Sequence, residues 1–318
     1  MESKKLIASK IISILISLSI LAFIYWFFNI EKILEVIYQV DLTWLISAIL
    51  FVIPITFLTA YRLKIIAPSS SKISTIDSLK LILSASVINL FLPSKLGDLI
   101  KCSFIVKEKG VGYNEALPLV FFEKISDIIS LLILVLLGIF LAQLLDDIRI
   151  LLLIFSVIIL FILFLLLRSS SFAGSIFKVI NKLTFNNFAS KIDSFEVGWK
   201  KQTNLVLSKK FFFLRILILS ICLWILHLTQ IWILILSLGG NINFIDNLTI
   251  SPIGILFGLL PLTFSGVGTR DFAFIFFYKG YLDLTISAAL GVLYMIRYIT
   301  PAIIGIPFLF GYIKKFKQ

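Results

Sequence analysis

Residues Gly258–Asp271 read GLLPLTFSGVGTRD. Long apolar sequence surrounds this stretch, yet it holds one proline, three glycines, an arginine and an aspartate. Pro261 removes a helical donor and clashes with the carbonyl one turn back. Gly266 and Gly268 admit backbone angles that other residues avoid. Arg270 and Asp271 are costly in hydrocarbon unless they face protein or water. One uninterrupted membrane-crossing helix is therefore excluded. Broken backbone persists at membrane depth only where it is buried in protein or lines a cavity. The stretch predicts a broken hairpin beside a cavity that holds something polar and anionic.

The rest of the chain fits that membrane setting. Of its 318 residues, 60% are hydrophobic and 14% charged, and the mean hydropathy is +1.10. Soluble domains carry roughly 25% charged residues. The net charge of +12 comes from Lys and Arg at the ends of apolar runs. That is the positive-inside pattern of membrane proteins, and it argues against a nucleic-acid partner. Cys102 and Cys222 lie far apart, so neither a disulfide framework nor a zinc site is indicated.

Six apolar runs near the bilayer-spanning length read as spans: Ile11–Phe28, Trp44–Tyr61, Ala116–Leu144, Ile150–Leu167, Phe211–Leu238 and Leu284–Tyr312. Basic residues at both ends of the chain place both termini on the cytoplasmic side of a cell (inner) membrane. Two segments are too short or too broken to be spans. Ile76–Val106 reads as a helical hairpin dipping in from the cytoplasmic side, and Asp246–Gly280 as a second one from outside. The long polar region 169–210 is cytoplasmic. Phe188, Ile192, Phe195, Trp199 and Val206 recur in it at helical spacing. That helix either lies along the inner membrane surface or packs on the end of the bundle.

The two broken stretches share an order of residues. Leu92-Pro93, Gly97-Asp98, Lys109-Gly110 and Ala116-Leu117 lead to Glu123 in the next span. Leu260-Pro261, Gly268, Asp271, Lys279-Gly280 and Ala289-Leu290 lead to Arg297. Each half holds three spans, an odd number, so the second half enters the membrane in the opposite sense. The expected architecture is an all-α integral membrane protein, one membrane domain over 1–318. It has about six transmembrane helices and two re-entrant hairpins in two inverted repeats, about 1–145 and 146–318.

Arg270, with Asp271 and the amides around Gly266, Gly268 and Thr269, suits a phosphate or carboxylate at a helix start. The alternative is an Arg270 that pairs only with Asp271 or a lipid headgroup. Lys95, Asp98 and Lys101 form the counterpart on the first hairpin, or simply a solvated cytoplasmic face. Glu123 and Asp127 lie four apart on one helix face. Each is costly unless compensated, so Arg297 is expected to pair with one of them across the halves, as a static latch or as a pair that breaks. His227, Gln230 and Asn89 read as hydrogen-bonded packing residues. No spacing suits a metal, and no nucleotide-binding or hydrolase motif appears, so no cofactor and no catalytic residue is assigned.

The succession LPSKLGD, FFEKISDIISLLIL, LPLTFSGVGTRDFAF and YMIRYITP is similar to the membrane region of lysylphosphatidylglycerol synthases and of related stand-alone flippase-like proteins. The similarity runs from the second span to the end. The family has Glu-Arg where this chain has Glu123-Lys124, and Glu where Asp98 and Asp271 stand. Lys keeps the charge but not a bidentate contact. The resemblance implies inverted repeats around a headgroup cavity and movement of a phospholipid between leaflets. The soluble domain that attaches lysine in the full-length synthases has no counterpart before Gln318, so synthase activity is not expected. The expected substrate is an anionic or aminoacylated phospholipid, or a lipid-linked precursor. A polyprenyl-phosphate-dependent glycosyltransferase, or an accessory to a lipid-modifying enzyme, remains the alternative. The partner is then that enzyme or a second copy of the chain.

Overall fold

The computed structural model describes residues 15, 18–22, 30–90, 92, 97–141, 146–183, 189–260, 263 and 266–317, and each regular element in them is a helix. The protein is an all-α integral membrane protein. Five stretches are long and apolar enough to cross a bilayer: Leu42–Ile66, Tyr113–Leu141, Ile148–Arg168, Phe211–Ser237 and Leu284–Lys314. They match five of the expected spans. The remaining one, Ile11–Phe28, lies largely outside the described residues, although Ile20 within it packs on Gly268.

Helix α1 (Ile30–Tyr38) precedes the first described span, which is bent into α2 (Leu42–Leu50) and α3 (Val52–Ile66). Asp41 caps α2 by accepting from the Thr43 amide at 2.7 Å. Pro54 explains the bend. Its ring conflicts with the carbonyl of Leu50, one turn back, where α2 ends.

The first hairpin consists of α4 (Thr75–Asn89) and α5 (Leu99–Lys109). A reciprocal capping box between Ser74 and Asp77 starts α4, and Gly110, at φ 66°, ends α5. The arms run antiparallel. Asp77 pairs with Lys109 at 2.6 Å at the open end, and Asn89 meets Asp98 at 3.0 Å at the tip.

Next come α6 (Tyr113–Leu141), α7 (Asp146–Arg168), α8 (Ser170–Leu183), α9 (Ala189–Leu207) and α10 (Lys210–Ser237). Ile150, Phe155 and Phe161 of α7 are exposed, which suits a lipid-facing span. Of the two expectations for the polar region, the structure shows the packed helix. On α9, Gly198, Trp199, Gln202 and Val206 are buried; Gln202 donates to the Ile66 carbonyl at 3.1 Å, and Trp199 to that of Leu166 at 3.4 Å. The side chain thus satisfies an orphan carbonyl at the end of α3.

The second hairpin consists of α11 (Phe244–Leu259) and α12 (Thr269–Phe277), also antiparallel, since Gly254 meets Phe274 and Gly258 meets Arg270. Glycine is required there. A Cβ on Gly258 would sit 2.9 Å from that of Arg270. The last span is divided into α13 (Leu284–Leu293) and α14 (Ile296–Lys317).

The hairpins pack reciprocally. Helix α4 lies along α14, where a Cβ on Gly305 would fall 2.0 Å from the Leu83 carbonyl oxygen. Helix α11 lies along α6, where Gly138 meets Thr249. Two apolar cores result. One holds Leu131–Ile139 of α6 with parts of α10 to α13, and the other holds Ala116–Ile125 of α6 with α3, α5 and α9. Between them α6 carries Asp127, and next to it Glu123.

A charged cavity between the two cores

A cavity of about 130 Å³ opens where the cores part. Helix α3 gives it Thr56, Thr59 and Arg62, a single face at three- and four-residue steps. Helix α10 contributes Trp224, His227 and Gln230, and α6 contributes Glu123, Lys124 and Asp127. The tip of the first hairpin adds Asn89, Asp98 and Lys101, and α14 adds Arg297, Tyr298 and Pro301. Pro301 offers no N–H to the carbonyl of Arg297 one turn earlier, which loosens α14 at the cavity wall.

Six of the charges form a chain of alternating sign. Arg62 Nη1 donates to Asp127 at 2.6 Å, and Nη2 to Glu123 at 3.3 Å. Lys101 Nζ lies 3.2 Å from Glu123 and 3.3 Å from Asp98. Lys124 closes the series on Asp98. Ser220 accepts from Arg62 at 2.9 Å, and Trp224 Nε1 donates to Asp127 at 3.1 Å. Arg62 and Glu123 are 1% exposed, so these charges exist only because each is paired and hydrogen-bonded.

Arg297 stands apart. Its Nε donates to Gln230 Oε1 at 3.0 Å, and its Nη2 to His227 Nδ1. The guanidinium lies 4.3 Å from the Tyr294 ring centre, and Nη1 has no hydrogen-bond partner. No carboxylate among the described residues pairs with it. Among the described residues the lining carries four cations, Arg62, Lys101, Lys124 and Arg297, against three carboxylates, an excess of one positive charge.

The sequence candidates fall into three groups. Asp98, Lys101, Glu123, Asp127 and Arg297 meet at this cavity. Arg297 does not pair with Glu123 or Asp127 as expected, because Arg62 and Lys101 already occupy those carboxylates. Arg270, Asp271, Gly266, Gly268 and Thr269 lie at the second hairpin. Arg270 is 1% exposed; its Nε donates to Asp271 at 2.8 Å and its Nη2 to the Gly291 carbonyl at 3.2 Å. Asp271 in turn accepts from the Gly268 amide at 2.9 Å, and Thr269 bonds Thr263 at 2.8 Å. Gly266 and Gly268 have φ of 73° and 96°, the conformation expected of glycine there. The guanidinium of Arg270 lies 4.0 Å from the Tyr294 ring centre, so Tyr294 contacts both Arg270 and Arg297. Lys95 lies outside the described residues.

Arg62 was not a candidate. At the end of an apolar run it reads as an interfacial residue beside Lys64. The signal against that reading is the apolar continuation Leu63, Ile65 and Ile66, which keeps Arg62 inside the span.

These features define a polytopic helical membrane protein with a charged, partly open cavity between two apolar cores. The chain belongs to the lysylphosphatidylglycerol synthase TM region family, whose model matches residues 10–307. No match was found among curated proteins. Family membership gives the chain a role connected with membrane lipid.

Proposed function

We propose that the protein moves a phosphate-bearing lipid between leaflets, its headgroup passing through the cavity while the acyl chains stay in the bilayer. Arg297 carries the reading. A half-buried guanidinium with a free Nη1 and no carboxylate is costly to hold empty, and it presents a fork that matches a phosphate. The cavity has room for a small polar group but not for acyl chains. Asp98, Glu123 and Asp127 each face a cation, which makes them counter-charges rather than bases. Arg270 serves by holding Tyr294 behind Arg297.

The reading includes two inverted repeats, 1–145 and 146–318, with both hairpins re-entrant and both termini cytoplasmic. Its supports are the two antiparallel hairpins, their reciprocal packing on α14 and α6, and the lysines at both chain ends.

Reconstitution into liposomes with acyl-labelled phosphatidylglycerol tests it, using a membrane-impermeant reductant to report the outer leaflet. The protein is expected to expose the inner-leaflet lipid, and Arg297→Gln to slow that exposure at least tenfold. Rates equal to those of empty liposomes, for anionic phospholipids and for lipid-linked sugars alike, overturn it.

A further inference from the structure

We infer that the start of α10 binds an anionic phospholipid of the surrounding leaflet, its phosphate held between Lys209 and Arg215. The site shares no lining residue with the central cavity and does not rest on the transport reading. An open cleft of about 520 Å³ lies there, lined by Lys209, Phe211, Phe212 and Arg215. No carboxylate among the described residues pairs with either cation.

Depth puts these charges where phosphates lie. The run 216–237 of α10 carries no Asp, Glu, Lys or Arg. At about 1.5 Å per residue it is about 33 Å long, enough to cover the roughly 30 Å hydrocarbon core of a bilayer. Arg215 therefore stands at the edge of the hydrocarbon, and Lys209 stands further out. Arg215 is exposed, so on a membrane-crossing helix it faces lipid. A guanidinium there is costly unless it snorkels to water or meets an anion.

The geometry favours the anion. Arg215 Nη2 donates to the Tyr61 hydroxyl of α3 at 2.5 Å, and the guanidinium lies 5.8 Å from that ring's centre. This contact joins two helices and holds the fork in place. Nε and Nη1 have no protein partner among the described residues, which leaves two donors for phosphate oxygens. Lys209, the residue that precedes α10, brings a second charge to the same cleft.

The apolar surroundings select a lipid over a free phosphate. Phe211 is 85% exposed. Leu214 and Ile218 follow on the same helix at three- and four-residue steps, and both are exposed. On α3, Phe57 is exposed one turn before Tyr61. These rows give acyl chains a surface beside the cleft and offer an inorganic ion nothing.

The test is photolabelling of the protein in liposomes, using phosphatidylglycerol with a diazirine on its headgroup and reading the labelled residues by peptide mass spectrometry. Label is expected within 209–218. It should be competed by unlabelled phosphatidylglycerol, but not by phosphatidylcholine or inorganic phosphate. Replacing both cations, Lys209→Gln with Arg215→Gln, is expected to cut this label by on the order of tenfold. Tyr61→Phe, which frees the fork, is expected to cut it less. Label near Arg297 reports the central cavity separately and should not change in either variant, nor should the unfolding temperature. Absence of label in 209–218, equal labelling by a phosphatidylcholine probe, competition by inorganic phosphate, or label that survives the double substitution overturns the inference.

Discussion

Removing the guanidinium of Arg62 takes from Asp127 its 2.6 Å ion pair and from Glu123 one of its two close cations. Breaking a buried pair from one side costs about 3–5 kcal/mol, so Arg62→Met is expected to lower the thermal midpoint in mild detergent sharply. Adding Asp127→Asn to it removes the charge that lost this pair and keeps an acceptor for Trp224. The double variant is therefore expected to recover most of the loss, and no recovery would refute the pairing. Neutralisations elsewhere in the cavity act on its charge. Glu123→Gln adds to the positive excess and is expected to tighten phosphatidylglycerol binding, whereas Lys101→Gln is expected to weaken it, both by severalfold as read by calorimetry in neutral detergent. At this scale the sequence was half legible. Glu123 and Asp127 were visible because they sit four apart in an apolar run. Their true partner was hidden, because a cation at the edge of a span looks the same whether it snorkels to the interface or turns inward.

Helix contacts depend on a few glycines. A Cβ on Gly198 would lie 1.5 Å from the Asn114 carbonyl oxygen and 3.0 Å from Pro118 Cγ. Pro118 has no N–H to offer that carbonyl, so α9 approaches α6 where its ladder is already interrupted. Backbone cannot yield as a side chain can. Gly198→Ala is therefore expected to cost about 1–3 kcal/mol, read as a lower unfolding temperature and faster proteolysis within α8–α9. Gly311, whose Cβ would meet nothing within 4 Å, is the control, and Gly311→Ala is expected to be neutral. The elements themselves were readable. Apolar runs located the spans, and proline and glycine located the two hairpins. Whether α9 lay on lipid or on protein was not readable, since an amphipathic pattern records that one face is covered and not what covers it.

Across the whole molecule, the open end of the first hairpin is held by Asp77 and Lys109. Burial alone would raise the Asp77 carboxyl, but the hydrogen bonds from Lys109 and from Ser74 prevail and hold it below its ordinary value of 3.8. A carboxyl lowered in the fold gives stability that is fully present above its unfolded value and lost as pH falls through the folded one. Acidification below about pH 4 is expected to loosen this closure. Hydrogen exchange at the ends of α4 and α5 should rise there, and Asp77→Asn should show the same exchange at neutral pH. A rise of equal size in Asp77→Asn on acidification would assign the effect to other groups.

The alternating chain of charges also has a parting line. Between α5 and α6, among the described residues, it crosses at two contacts, Lys101 with Glu123 and Asp98 with Lys124. On one side remain Asp98 and Lys101, which keep each other at 3.3 Å. On the other remain Arg62 with Asp127 and Glu123, and Lys124. Each group sums to zero formal charge. Among these six described groups, parting along that line strands no net charge on either side. What such a separation costs is two ion pairs, and not the burial of an unbalanced charge.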